Sequence, residues 1–187
     1  MPTPEITFVL RGGQDAGRHA DEYATVATEV YAEPPYRWTE HEAVSFARRF
    51  AVQSRQPGFV LAEARHGGYL VGYAFGMPLR PATSWWRHVT TPLPADVITE
   101  YQGRTFALAD LAVRTAWRRQ GIGAALYGVV MADRPEERAT LTVLPAAGPA
   151  QSAYQSWGWR KIARTRDLAP GSPVLDVLIL TLPAGFS

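Results

Sequence analysis

A single mixed α/β domain, spanning residues 1–187, is the fold class this chain predicts. Three observations carry that expectation. The length suits one domain. Apolar runs of strand length alternate with stretches of helical period. A strand–turn–helix–strand unit stands at the centre, the mark of a parallel crossover.

The elements follow in chain order. Ile6 to Leu10 is a short apolar run closed by Gly12-Gly13, a strand and a turn. Ala20, Tyr23, Ala24, Ala27, Val30 and Tyr31 recur at helical spacing, and Pro34-Pro35 stops that helix. Thr39 with Glu42 reads as a capping box opening a second helix, whose buried stripe is Ala43, Phe46, Ala47, Phe50 and Ala51. Phe59–Ala64 and Tyr69–Met77 form a hairpin through His66-Gly67-Gly68. Pro78 to Arg104, with four prolines and little periodicity, is a long loop. Phe106 to Val113 is nearly all apolar, as a central strand covered on both faces requires. Ile122, Ala125, Leu126, Val129 and Val130 then keep helical spacing without a miss, and Pro135 ends that helix. A strand around Leu141 and Val143 follows, then a short helix from Pro149 to Trp157. Strands from Trp159 and from Val174 to Leu182 complete the order β-α-α-β-β-β-α-β-α-β-β.

Composition narrows the function. At 47% hydrophobic and 19% charged the chain is globular rather than disordered. Nineteen basic residues, of which only Lys161 is lysine, face 17 acidic ones; a net charge of +2 argues against a nucleic-acid partner. The absence of cysteine excludes disulfides, thiolate metal sites and a cysteine acyl-enzyme. The four histidines are scattered without metal-ligand spacing, so no metal is expected. No apolar run reaches membrane-spanning length and the N-terminus carries no signal-peptide pattern, so the expected location is the cytoplasm.

The chemistry centres on Arg118, Arg119, Gln120, Gly121, Ile122 and Gly123, which follow the central strand and open a helix. N–H groups at a helix start lack intrahelical acceptors and suit an anion, and glycines admit the ligand closely. A Walker loop fails for want of its Lys, and a dinucleotide fingerprint fails where Leu126 replaces the third glycine.

Arg-x-x-Gly-x-Gly after a strand resembles the acyl-CoA site of the GNAT superfamily of N-acyltransferases. Two more segments strengthen the resemblance: Leu108-Ala109-Asp110-Leu111-Ala112-Val113 before the turn, and Tyr154-Gln155-Ser156-Trp157-Gly158-Trp159, similar to the family's aromatic-x-x-x-Gly-aromatic signature. It is sharp over residues 105 to 162 and loose elsewhere. The implied fold is a mixed sheet of six to seven strands, splayed between its fourth and fifth strands and flanked by about four helices. The implied cosubstrate is acetyl-CoA. Leu111, Ala112 and Val113 would offer backbone groups to its pantetheine arm, Arg119 to Ala124 would hold its pyrophosphate, and Arg118 would add charge to the cofactor site. One position departs: Ala147 stands where the family usually has Asn.

The implied reaction is direct attack of an amine on the thioester. By motif position Tyr154 would donate a hydrogen bond to the departing thiolate, the alternative being a packed aromatic. Asp110 would act as base through water, the alternative being a polar residue at a sheet bulge; Glu63 is a second candidate base. Tyr36, Trp38 and Trp85 would border the acceptor, or else pack as ordinary amphipathic aromatics. The expected acceptor is a small-molecule amine. A protein N-terminus or lysine as acceptor, and a non-catalytic acyl-CoA-binding module, stand as alternatives. A homodimer is expected through an exposed final strand, Val174 to Leu182.

Overall fold

The computed structural model describes residues 5–183; the N-terminal Met1-Pro2-Thr3-Pro4 read above for a leader lies outside them. Seven strands form one sheet in the order β1-β2-β3-β4-β5-β7-β6. These are β1 (Ile6–Gly12), β2 (Val60–His66), β3 (Tyr69–Pro78), β4 (Thr105–Val113), β5 (Arg138–Val143), β6 (Arg160–Thr165) and β7 (Leu175–Thr181). Every strand read from the sequence is present, in order. Six α-helices accompany them: α1 (Gly13–Arg18), α2 (Ala20–Ala32), α3 (Glu40–Gln53), α4 (Ala95–Ile98), α5 (Ile122–Met131) and α6 (Gly148–Ser156).

Two helices exceed the four expected, both short. α4 is a single turn inside the proline-rich loop. α1 begins where Gly12-Gly13 had been read as a turn. Gly13 has another purpose there: a Cβ on it would lie 1.8 Å from the Ser54 carbonyl oxygen, so the start of α1 packs directly on the end of α3. We expect Gly13→Ala to cost about 3 kcal/mol, the upper range for overpacking, read as a lower urea midpoint at unchanged slope. An unaltered midpoint would mean that the contact yields.

By their contacts the residues group into two compact units. The first takes the chain up to Met77 together with Leu108–Ala132. Its core is aromatic. Tyr23 of α2, Phe46 and Phe50 of α3, and Tyr73 and Phe75 of β3 are all buried. Phe50 and Phe75 meet edge-on at 5.2 Å, an arrangement worth about 1 kcal/mol beyond its buried area. The helices dock because their stripes suit this core: α2 buries Tyr23, Val26, Ala27, Val30 and Tyr31, while α3 buries only Phe46 and Phe50 of the stripe expected. Glu42 caps α3, its carboxylate accepting the Thr39 N–H at 2.7 Å. In α5, Ile122, Leu126 and Val130 are buried.

The second unit takes Pro78–Ala107 and the residues from Asp133 on. Within it β4 pairs β5 in parallel over three residues, Thr105↔Arg138 to Ala107↔Thr140, where the ladder ends. β7 pairs antiparallel with both β5 and β6. The expected exposed final strand is therefore corrected: β7 is an interior strand with Val177, Leu178 and Ile179 buried, because both of its edges are already hydrogen-bonded.

Candidate active site

Asp110 interrupts the apolar run of β4, half-buried, and such a carboxylate needs donors. Two tyrosines supply them. The Tyr31 hydroxyl, from the last turns of α2, donates to Asp110 Oδ1 and lies 3.2 Å from the Leu111 carbonyl oxygen. The Tyr73 hydroxyl, from β3, donates to Asp110 Oδ2 at 2.7 Å. Burial pushes the Asp110 carboxyl above the usual carboxylate range, partly offset by these hydroxyls and the Leu111 N–H. Burial, then the charge of Asp110, raise Tyr31 well above an ordinary phenol; burial likewise leads for Tyr73. Both phenols therefore stay protonated, as donors, at neutral pH.

Tyr36 and Trp38 gather at the same place. Their rings lie 4.7 and 4.6 Å from that of Tyr31, and the Trp38 N–H donates to the Tyr31 carbonyl at 2.7 Å. The loop between α2 and α3 is thus held against the tyrosine that touches Asp110. Sequence reasoning had assigned Tyr31 to a core stripe and Tyr73 to a strand. One signal existed: a buried tyrosine needs a partner for its hydroxyl, and one Asp on an apolar strand needs donors.

The second candidate base behaves oppositely. Glu63 of β2 is fully buried, and although burial alone would raise it, hydrogen bonds from Arg65, Arg11 and Tyr23 prevail and hold it at about 2. Tyr23 donates at 2.6 Å and Arg65 Nε at 2.8 Å. Its proton affinity is too low, and its lone pairs too engaged, for a base at neutral pH. The two carboxylates are thus pushed in opposite directions, Asp110 upward and Glu63 downward.

Beyond Val113 the chain passes through a 3-10 turn, Thr115–Trp117, to Arg118 and into α5. Arg119 and Gly121 both take positive φ, 63° and 78°. The first intrahelical bond runs from the Ala125 N–H to the Gly121 carbonyl at 3.0 Å, so the N–H groups of Ile122, Gly123 and Ala124 have no carbonyl one turn back. Apart from the two adjoining residues, no described residue comes within 4 Å of the place a Cβ on Gly121 would fill. Open space over a helix start, at a residue without a side chain, is a cradle that fits a pyrophosphate. The Arg118 side chain makes two bonds within the protein, Nε donating to the Val113 carbonyl at 3.0 Å and Nη1 to Glu33 Oε2 at 2.9 Å. Gln120 Nε2 donates to the Ala116 carbonyl at 3.3 Å.

Tyr154 and Trp85 belong to the second unit. Tyr154 is part-exposed on α6, its ring 5.7 Å from Trp157 and 6.0 Å from Trp159. α6 is fixed by Gln151, whose amide donates to Asp176 Oδ2 at 3.1 Å. Ala147, at the N-terminal boundary of α6, is buried. Trp85 packs against the cluster of Trp86, Ala163 and Val177, and Trp86 is a core residue donating to Glu100 at 2.9 Å. Among the described residues no group of three or more His, Asp or Glu could hold a metal, and no helix is long and apolar enough to cross a membrane.

Residues 23–159 match the model of the Acetyltransferase (GNAT) family. Comparison with curated proteins finds no match. Solved structures that resemble the chain include the ribosomal-protein-S18-alanine N-acetyltransferase of Escherichia coli, at 15% identity and a TM-score of 0.63 over 95% of this chain and 94% of that one. NAA60 of Arabidopsis thaliana, solved with a bisubstrate analogue, gives 17%, 0.65, 96% and 99%. The PaiA N-acetyltransferase of Thermoplasma acidophilum, solved with coenzyme A, gives 12%, 0.58, 95% and 99%. At these identities the likeness establishes the fold.

Proposed function

The chain belongs to the GNAT acetyltransferase family, and from that premise we propose that it transfers an acetyl group from acetyl-CoA to a small-molecule amine, by direct attack, with residues 1–187 acting as one domain. The observation that carries the reading is the half-buried Asp110 held by the hydroxyls of Tyr31 and Tyr73.

Bound acetyl-CoA supplies an acyl group on a stable thiolate leaving group. The chain's residues do the rest. The N–H groups of Ile122, Gly123 and Ala124 hold the pyrophosphate, with Arg119 adding charge, and the backbone of Leu111, Ala112 and Val113 lines the pantetheine arm. Tyr36 and Trp38 border the amine, Trp85 being a further candidate. Asp110 accepts the amine's proton, directly or through a water. An alkylammonium has a pKa near 10, so transfer to an ordinary carboxylate is steeply uphill. By raising the Asp110 carboxyl, burial lessens that climb. Tyr31 and Tyr73 keep the carboxylate in one orientation.

Support for Tyr154 comes from its place in the aromatic-x-x-x-Gly-aromatic segment. Its phenol donates a hydrogen bond to the developing thiolate. Loss of one donor to a developing anion costs about 10²-fold in kcat, so we expect that loss for Tyr154→Phe, with acetyl-CoA affinity within about twofold by calorimetry. Unchanged kcat would remove Tyr154 from the chemistry.

The test of the function is release of CoA thiol from acetyl-CoA, followed with a thiol-reactive dye across a panel of small amines and peptides. The chain has no cysteine and adds no background. Release that depends on a small amine is the expected result. Release with peptides alone would move the acceptor to proteins. Binding without turnover across the panel would favour an acyl-CoA-binding module, and failure to bind acetyl-CoA would overturn the reading.

A further inference from the structure

Glu33, the residue that closes α2, touches two segments with different tasks. Its main-chain carbonyl accepts the N–H groups of Tyr36 and Arg37, each at 3.1 Å, and so closes the turn that presents Tyr36 and Trp38. Its carboxylate reaches the connection between β4 and α5: Thr115 Oγ1 donates to Oε1 at 2.6 Å and Arg118 Nη1 to Oε2 at 2.9 Å. Arg118 in turn holds the Val113 carbonyl through Nε at 3.0 Å. Its guanidinium has more N–H donors than these two bonds use.

One turn earlier on the same helix, Glu29 pairs with Arg114, whose Nε donates to the Leu70 carbonyl at 2.9 Å. That pair fastens α2 to the sheet but makes no bond to the Tyr36 turn. Glu33 differs in joining the two: one end on the acceptor loop, the other on the arginine that precedes the glycine turn.

We propose that Glu33 is a positioning residue that couples the two substrate sites, so that a pyrophosphate on the Arg118–Ala124 turn steadies the Tyr36–Trp38 loop. The proposal rests on the reading of that turn as the acetyl-CoA site. An anion on the turn confines the Arg118 guanidinium between two negative groups. Glu33 is then held at its carboxylate, and through its carbonyl so are the amides of Tyr36 and Arg37. Trp38, bonded to the Tyr31 carbonyl, follows. An exposed ion pair is worth little by itself; what gives this one an effect is the rigid chain of hydrogen bonds on either side of it.

The probe is CoA itself, which avoids the need for a known amine. Its affinity is measured by calorimetry, and amide hydrogen exchange of residues 36–39, which follow the two prolines, is followed with and without saturating CoA. For the unaltered protein we expect bound CoA to slow exchange in this segment by about fivefold, the lower range of site-to-site coupling. Glu33→Gln, which keeps a partner for Thr115 but loses the charge on Arg118, should bind CoA within about threefold and lose the slowing. Glu29→Gln, which breaks the neighbouring pair, should keep it. Equal slowing in Glu33→Gln would overturn the proposal. So would loss of slowing in both variants, or a segment that ignores bound CoA in the unaltered protein. Failure of CoA to bind the unaltered protein, visible by calorimetry alone, would defeat the donor-site reading and this coupling with it.

Discussion

Replacement of Asp110 by Asn is expected to lower kcat by between about 10² and 10⁴, the usual contribution of a positioned general base. Fold and donor binding should survive. Asn keeps an acceptor for one of the two tyrosines, and the other hydroxyl can rotate to accept from the amide N–H. Stability at neutral pH should be unchanged or higher. A carboxyl whose folded pKa lies above its unfolded value binds its proton more tightly when folded, so it costs stability once pH has risen through that window. The same sign governs activity. In the unaltered enzyme kcat/KM should fall as pH drops through the raised Asp110 value, because the base becomes protonated; in Asp110→Asn this limb should vanish. A variant of normal activity, or an unchanged acid limb, would assign the proton to another acceptor and leave Asp110 as a structural partner of the two tyrosines.

Gly121→Asn is expected to weaken acetyl-CoA binding by about 10- to 100-fold, the equivalent of one or more hydrogen bonds to a charged group. Asn is chosen because it tolerates the left-handed conformation that the φ of 78° demands. The space around a Cβ there is open for 4 Å, so nothing in the protein objects to it. Thermal stability should therefore hold within about 1 kcal/mol. What does object is a ligand lying over the start of α5. Loss of affinity at constant stability places the pyrophosphate on this turn. Unchanged affinity would move it elsewhere and leave Gly121 with a purely conformational task.

The two substitutions probe parts of the site that differed in legibility. The glycine turn was plain in the sequence, because its residues are adjacent and its physics is local. Asp110 was plain as a polar intruder in an apolar strand. Its partners were not: Tyr31 and Tyr73 are 79 and 37 residues away, and each fits an apolar stripe so well that periodicity counts it as core. Arg118 shows the converse. Its place beside two glycines suggests an anion contact, and nothing local reveals that its side chain is also bonded to a glutamate 85 residues earlier. For the fold, periodicity found every strand and the longer helices. It missed α1 because Gly-Gly is a turn signal, and nothing local reveals that Gly13 is there to let α3 approach. It missed α4 because a single turn among prolines has no period to detect.

The position of β7 has a consequence for how the second unit assembles. β5 and β6 both precede β7 in the chain, yet neither pairs with the other: β7 lies between them and bonds to both, while the other edge of β5 pairs with β4. During synthesis they emerge first and must wait, with β6 unpaired along the edge that β7 will fill. The unit cannot close stepwise as a meander does; it closes when the late strand inserts between the two early ones, a non-local event with the slower kinetics that such pairing brings. A nascent chain stalled before Leu175 would hold an open slot of strand width, exposed to any extended segment that fits.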